Sequence, residues 1–222
     1  MNLFGVLSEV YPTLLTGLTM TVKITILSLI IALVIGIFVC LMNISSNIVL
    51  RGIAKFYIWL IRGTPMLVQA FYFYFALPQL VQAVTGSQFR ITVFTASLVT
   101  LALNAGAYIS EIFRGSIESV NKGQMEAARS LGLSYAKSMQ KIILPQAVRI
   151  CLPSLVNQFI ITLKDSTILY AIGLSEVMYY AKIYVGRTME SFATYTWVAV
   201  FFLLIVTVLS FISRYVERRM NA

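Results

Sequence analysis

Lys164, Asp165 and Asn104 lie in apolar surroundings where each needs a reason to be. A charge near the centre of a bilayer costs about 2.5–3.5 kcal/mol on insertion scales, so ionisable groups there mark a ligand path or find a partner. Lys164 and Asp165 do not serve each other, because adjacent residues on a helix point about 100° apart. At most one of them looks into a central cavity. A carboxylate so placed accepts a cationic group, and Asn104 with Ser166 or Thr167 can supply hydrogen bonds around it. The alternative for Asp165 is a basic partner elsewhere, or a place at the outer interface.

A second constellation is basic and helix-forming. "GQMEAARSLGLSYAKSMQKIILPQA", residues 123–147, contains Glu126, Arg129, Lys137 and Lys141 and is flanked by Lys122 and Arg149. Met125 to Arg129 are good helix formers, Glu126 suits the positive end of the helix dipole, and Gly132 suits a left-handed cap. Ser134 is placed to cap a second helix, which Pro145 is expected to stop. The prediction is a hairpin of two short helices with a glycine corner. Helices this short are marginal in water and need packing to hold them.

The elements that must position these residues are membrane spans. The chain has 222 residues, 59% hydrophobic and 11% charged, whereas soluble domains carry about a quarter of their residues as charges. Apolar segments predict five crossings, at 14–42, 56–83, 92–113, 150–173 and 194–213. Arg62 and Pro65 enter the second, Asn104 and Glu111 the third, and Pro153, Asn157, Lys164 and Asp165 the fourth. Twelve of the 17 basic residues fall on one side: Arg51, Lys55, Arg62, Arg114, Lys122, Arg129, Lys137, Lys141, Arg149, Arg214, Arg218 and Arg219. Only Arg90, Lys164, Lys182 and Arg187 collect opposite, and Lys23 sits within the first span. The positive-inside rule therefore puts the N-terminus outside, with the C-terminus and the charged hairpin inside. The expected fold is all-α integral membrane: one transmembrane domain over 1–222, core 14–214, with the loop 121–147 between the third and fourth spans. The formal charge of +9 is read as this cytoplasmic bias and not as a nucleic-acid surface.

Other chemistry finds little footing. There is no histidine, and Cys40 and Cys151 lie far apart in the sequence, so no metal site is expected. No phosphate-binding Gly-x-x-x-x-Gly-Lys-Ser/Thr loop occurs, so nucleotide energy would have to come from another subunit. The eight acidic residues are scattered, which argues against a metal-dependent membrane enzyme. Met1 to Tyr11 has no basic residue, so the first span is expected to stay in the mature protein. Tyr72 to Phe75, Trp59 and Trp197 read as packing and interfacial anchors. Glu111 and Arg114 are spaced for a local ion pair. Glu176, Lys182, Arg187 and Glu190 fall in an external segment, 174–192, that could touch an outside partner.

Glu126-Ala127-Ala128, Gly132, Ile142 and Leu144-Pro145 together match, at every fixed position, the cytoplasmic loop motif of ABC importer permeases. "IRGTPMLVQAFYFYFALPQL" (61–80), "NAGAYISEIFRGSIESV" (104–120) and "LKDSTILYAIGLSE" (163–176) resemble the permeases for polar amino acids, the histidine, arginine, glutamine and cystine type. The resemblance implies a permease of the bacterial cytoplasmic (inner) membrane that binds no cofactor itself. It implies two ATPase subunits carrying ATP and Mg, a second permease copy or sister, and an extracytoplasmic amino-acid-binding protein. Glu126, Ala127, Ala128, Gly132, Leu144 and Pro145 would couple to the ATPase, with Ala127 and Ala128 both offering a close approach. Asp165 would take the substrate ammonium, beside Asn104 and Ser166 or Thr167. A self-contained ion-coupled symporter or channel is the competing class, and it leaves the hairpin unexplained.

Overall fold

A computed structural model describes residues 3–221, with side chains left undescribed at 212, 213 and 215–221; Arg218 and Arg219 thus lie outside the described side chains. Eight helices follow in order: α1 (Leu3–Asn43), α2 (Ile48–Gly63), α3 (Met66–Thr85), α4 (Val93–Glu118), α5 (Lys122–Ser130), α6 (Tyr135–Ile172), α7 (Val177–Thr188) and α8 (Ser191–Asn221). Among the described residues there are no strands. Five helices, α1, α3, α4, α6 and α8 through Phe211, are long and apolar enough to cross a membrane.

The inward faces are chosen by size more than by polarity. Along α1 the buried residues include Val10, Leu14, Gly17, Thr21, Thr25, Ser28, Ala32, Gly36 and Cys40, a stripe at three- and four-residue steps. Ile30, Val34, Phe38 and Leu41 stay exposed on the other side. Between helices that lipid already solvates, association rests on close packing, so small residues turn inward and large apolar ones face the tails. The partner stripe on α4 has the same character: Ala96, Ser97, Thr100, Asn104, Ala105 and Ala107 are buried. Leu29 and Ala32 of α1 meet Ala105 and Ile109 of α4 in one cluster, with Leu155 and Phe159 of α6 packed against it. Tyr57 ties α2 to this pair, its hydroxyl donating to the Leu103 carbonyl at 2.7 Å.

Two expectations fail, both at prolines. The second span, expected over 56–83, is not continuous: α2 ends at Gly63, Thr64 and Pro65 are extended, and a new helix starts at Met66. Proline disfavours helical backbone in the residue before it, and Gly63 adds a weak helix former just upstream. The fourth span, in contrast, starts at Tyr135 and not near 150, because Pro145 does not stop it. The chain widens instead into a π turn over Met139–Ile143, with the Leu144 N–H bonded to the Met139 carbonyl. Pro145 has no N–H to offer the carbonyl four residues back, and the wider turn makes room for its ring. The same device precedes Pro78, where Tyr72–Ala76 forms a π turn and the Leu77 N–H bonds Tyr72 O.

Candidate functional site

A cavity of about 410 Å³ opens where α2 breaks from α3, lined by Thr64, Pro65, Met66, Asn104, Tyr108, Gln158, Ile161 and Asp165. Three stretches of sequence meet there. The break supplies Thr64 and Pro65; α4 brings Asn104 and Tyr108 one turn apart; α6 brings Gln158, Ile161 and Asp165 at successive turns of one face. Asp165 is half-buried and Lys164 is exposed and off the lining. No side chain caps the first turn of α3, so its leading N–H groups leave a positive pole at the break.

The break is held by Gln69, which the sequence reading passed over. Its amide nitrogen donates to the Ile61 carbonyl at 2.8 Å, to the Thr64 carbonyl at 3.1 Å and to Thr64 Oγ1 at 2.9 Å. Its oxygen accepts from Asn104 Nδ2 at 3.2 Å. Asn104 therefore has two faces, one fastening Gln69 and one on the cavity. Two buried glutamines inside apolar helices, Gln69 and Gln158, were the signal that could have located this wall.

Ser166 and Thr167 do not reach the cavity. The 3-10 turn that begins at Ser166 folds both hydroxyls back onto their own helix, Ser166 onto the Leu163 carbonyl at 2.7 Å and Thr167 onto the Lys164 carbonyl at 2.7 Å. A short hydroxyl side chain in a helix competes for a nearby carbonyl, and here both are spent that way.

An ionic cluster adjoins the cavity. The Arg62 guanidinium lies 5.0 Å from the centre of the Tyr108 ring, and its Nη1 is 3.6 Å from Glu111 Oε2. Arg114 grips Glu111 with two bonds of 2.9 and 3.0 Å and reaches Glu118 at 2.6 Å. Asn43, at the end of α1, donates to Glu111 at 3.3 Å. The expected Glu111–Arg114 pair is thus part of a larger group joining α1, α2 and α4.

The hairpin takes the predicted form at its corner. Asn121 caps α5, Gly132 is left-handed at φ 85°, and the Leu133 N–H closes onto the Ala128 carbonyl at 3.1 Å. Ser134 accepts from the Lys137 N–H at 3.4 Å and starts α6. Glu126, Ala127, Leu144 and Pro145 are exposed. Ala128 is not, being 2% exposed, so only Ala127 of the alanine pair offers a bare surface. The second arm is the first part of a span and not a separate short helix, since Pro145 is absorbed.

In the segment 174–192, Glu176 is fully buried, so it has no outward surface to offer a partner. Its carboxylate caps α7, accepting from the Met178 and Tyr179 N–H groups at 2.9 and 2.8 Å. Burial pushes its pKa up to about 7 against the pull of those donors. Gly17 of α1 packs against this cap so closely that an added Cβ would lie 2.8 Å from the Glu176 and Val177 backbone. Tyr184, on α7, donates to Glu9 of α1 at 2.8 Å, and Trp197 donates to the Leu3 carbonyl at 2.8 Å.

Known proteins share this architecture over nearly its whole length. The glutamine transport system permease protein GlnP of Escherichia coli (strain K12) is 40% identical over 210 residues, 95% of this chain and 94% of that one. The arginine transport system permease protein ArtQ of Bacillus subtilis (strain 168) is 39% identical over 211 residues, again 95% and 94%. A crystal structure of an amino acid ABC transporter with histidines superposes with a TM-score of 0.91 at 38% identity, covering 97% of this chain and 98% of that one. Residues 28–222 match the profile of the binding-protein-dependent transport system inner membrane component. The chain belongs to that family: it is a multi-pass membrane permease of the binding-protein-dependent, ABC-importer kind.

Proposed function

We propose that the chain imports polar amino acids by alternating access, with its N-terminus outside and its C-terminus and hairpin inside a bacterial cytoplasmic membrane. The observation that carries this is the cavity at the α2–α3 break. It sets a carboxylate, Asp165, and a helix start with no side-chain cap on the walls of one space of about 410 Å³. That volume falls within the range of small-molecule sites. A zwitterionic amino acid fits such a field, its ammonium on Asp165 and its carboxylate toward the leading N–H groups of α3, as broken helices serve other transporters. Asn104, Gln158 and Thr64 hold the hydrogen-bonding positions first assigned to Asn104 with Ser166 or Thr167. The names of the relatives, glutamine and arginine permeases, support the substrate class.

Energy enters through the hairpin. A separate ATPase subunit, carrying ATP and Mg, docks on the exposed Glu126 and Ala127, while Gly132 fixes the corner and Leu144-Pro145 passes the movement into α6. Two such ATPases, a second permease copy or sister, and an extracytoplasmic amino-acid-binding protein complete the assembly. The bias of Lys and Arg toward the hairpin side supports this orientation.

The test is Asp165→Asn in vesicles reconstituted with ATPase and binding protein. The expected result is at least a tenfold weaker apparent affinity for the amino acid, with ATPase docking intact. Unchanged affinity and selectivity would remove Asp165 from the site.

A further inference from the structure

At the ends of three spans lies a larger cavity, about 630 Å³, that transport does not explain; Asn43, Arg51, Lys55, Trp59, Arg114 and Tyr135 are among its walls. Asn43 closes α1, Arg114 belongs to the last two turns of α4, and Tyr135 opens α6, so the cavity sits at the level where those helices leave the apolar layer. Its remaining wall is α2, whose residues before 56 the sequence placed in the connection ahead of the second span. Arg51 and Lys55 stand one turn apart on α2, and among the described residues neither is ion-paired; the ion pairs there involve Arg62 and Arg114. Glu111 and Glu118 line the same cavity, and both are held by Arg114. Three cations, Arg51, Lys55 and Arg114, stand against two carboxylates that both pair with Arg114, which leaves Arg51 and Lys55 open to an anion that is not part of this chain.

The apolar residues of α2 say which anion. Ile48, Ile53, Phe56 and Trp59 are 74%, 53%, 61% and 69% exposed, and Phe56 and Trp59 pack ring to ring at 5.9 Å. Such a face belongs among acyl chains near the headgroups, where tryptophan anchors. The cavity mouth therefore opens onto lipid and not onto bulk water alone.

We infer that this cavity seats the phosphate headgroup of an anionic phospholipid, its phosphodiester between Arg51 and Lys55 and its acyl chains along the apolar face of α2. Basic pockets between helices at the cytoplasmic level recognise headgroups by this chemistry. The inference rests on the proposed orientation for the leaflet alone, and not on the substrate.

The experiment is native mass spectrometry of the permease–ATPase complex, released from nanodiscs holding equal phosphatidylglycerol and phosphatidylcholine. The wild type is expected to retain phosphatidylglycerol at least threefold over phosphatidylcholine. Arg51→Gln with Lys55→Gln is expected to bring that ratio to about one, whereas Arg149→Gln with Arg214→Gln, the same charge loss outside the cavity, leaves it enriched. No enrichment in the wild type, equal enrichment in the Arg51/Lys55 variant, or equal loss in the Arg149/Arg214 control would each overturn the site. A free-anion site is the outcome if millimolar inorganic phosphate abolishes the retention, and that overturns the lipid. Neither substrate nor ATP enters the measurement, so a failed transport reading and a failed lipid site are separately visible.

Discussion

Pro65 and Pro145 interrupt helices in opposite ways. At Pro65 the backbone opens: α2 ends, Thr64 turns extended, and a buried glutamine is recruited to satisfy the loose carbonyls. At Pro145 the helix stays closed, taking one wide turn whose Ile142 carbonyl accepts from the neighbouring Gln146 amide at 2.8 Å. Irregular backbone at membrane depth is tolerated where it lines a cavity, because each unsatisfied group in hydrocarbon costs several kcal/mol. A π turn keeps the helix continuous, with the Leu144 N–H on the Met139 carbonyl and the Gln146 amide on that of Ile142. On the function proposed above, the chain opens where a ligand is met and stays helical where movement is carried: from Pro145 to Asp165 the helix runs about 30 Å.

Gln69→Leu should break the comparison hardest. It leaves the Ile61 and Thr64 carbonyls and the Asn104 amide without their partner, at about 1–3 kcal/mol for each buried group. Thermal melting in detergent should fall by 10 °C or more, as an order of magnitude, and uptake should be lost; a wild-type melting curve would show that the break is held by something else. Next comes Gly132→Val, which forces a β-branched residue into φ 85° at about 1–3 kcal/mol of strain. Membrane insertion should survive, while co-purification of the ATPase or its coupling to uptake is lost.

Pro145→Ala sharpens the contrast with a smaller effect. The new N–H gains about 1 kcal/mol and the freer unfolded chain gives back about 0.4–1 kcal/mol, so melting should hardly move. Uptake should drop several-fold if the wide turn sets the angle between hairpin and span, and equal uptake would make the turn incidental. The smallest effect belongs to Glu176, which, like Gln69, patches a helix end by burying a polar group, but one that titrates. Its pKa rises from 4.5 to about 7 on folding, so the folded state prefers the protonated acid. The stability this confers is complete below pH 4.5 and is lost as pH climbs through about 7. Glu176→Gln should flatten that part of the melting-temperature profile between pH 5 and 8.

The five spans were legible because length and apolar composition are properties of single segments. So was the hairpin corner, since Gly132 and Ser134 act within a few residues of themselves. Asn104 and Asp165 could be singled out as polar groups in oil, and the fold brings both to one cavity. The break at Pro65 was not legible, because its stability depends on Asn104 fastening Gln69 from 35 residues away. Ser166 and Thr167 misled because a helical neighbour of a site residue reads as a site residue, while their hydroxyls bond their own backbone. Glu176 looked like surface for the opposite reason: its partners are backbone N–H groups, which carry no side-chain signature.

The first helix has one more property. With 41 residues it is about 60 Å long, twice the thickness of the hydrocarbon layer, and it is pinned near both tips: Glu9 to Tyr184 at one, Asn43 to Glu111 at the other. A single helix fastened at both ends ties the α7 side of the bundle to the ionic cluster on α4, so a displacement at one tip is carried along its length to the other.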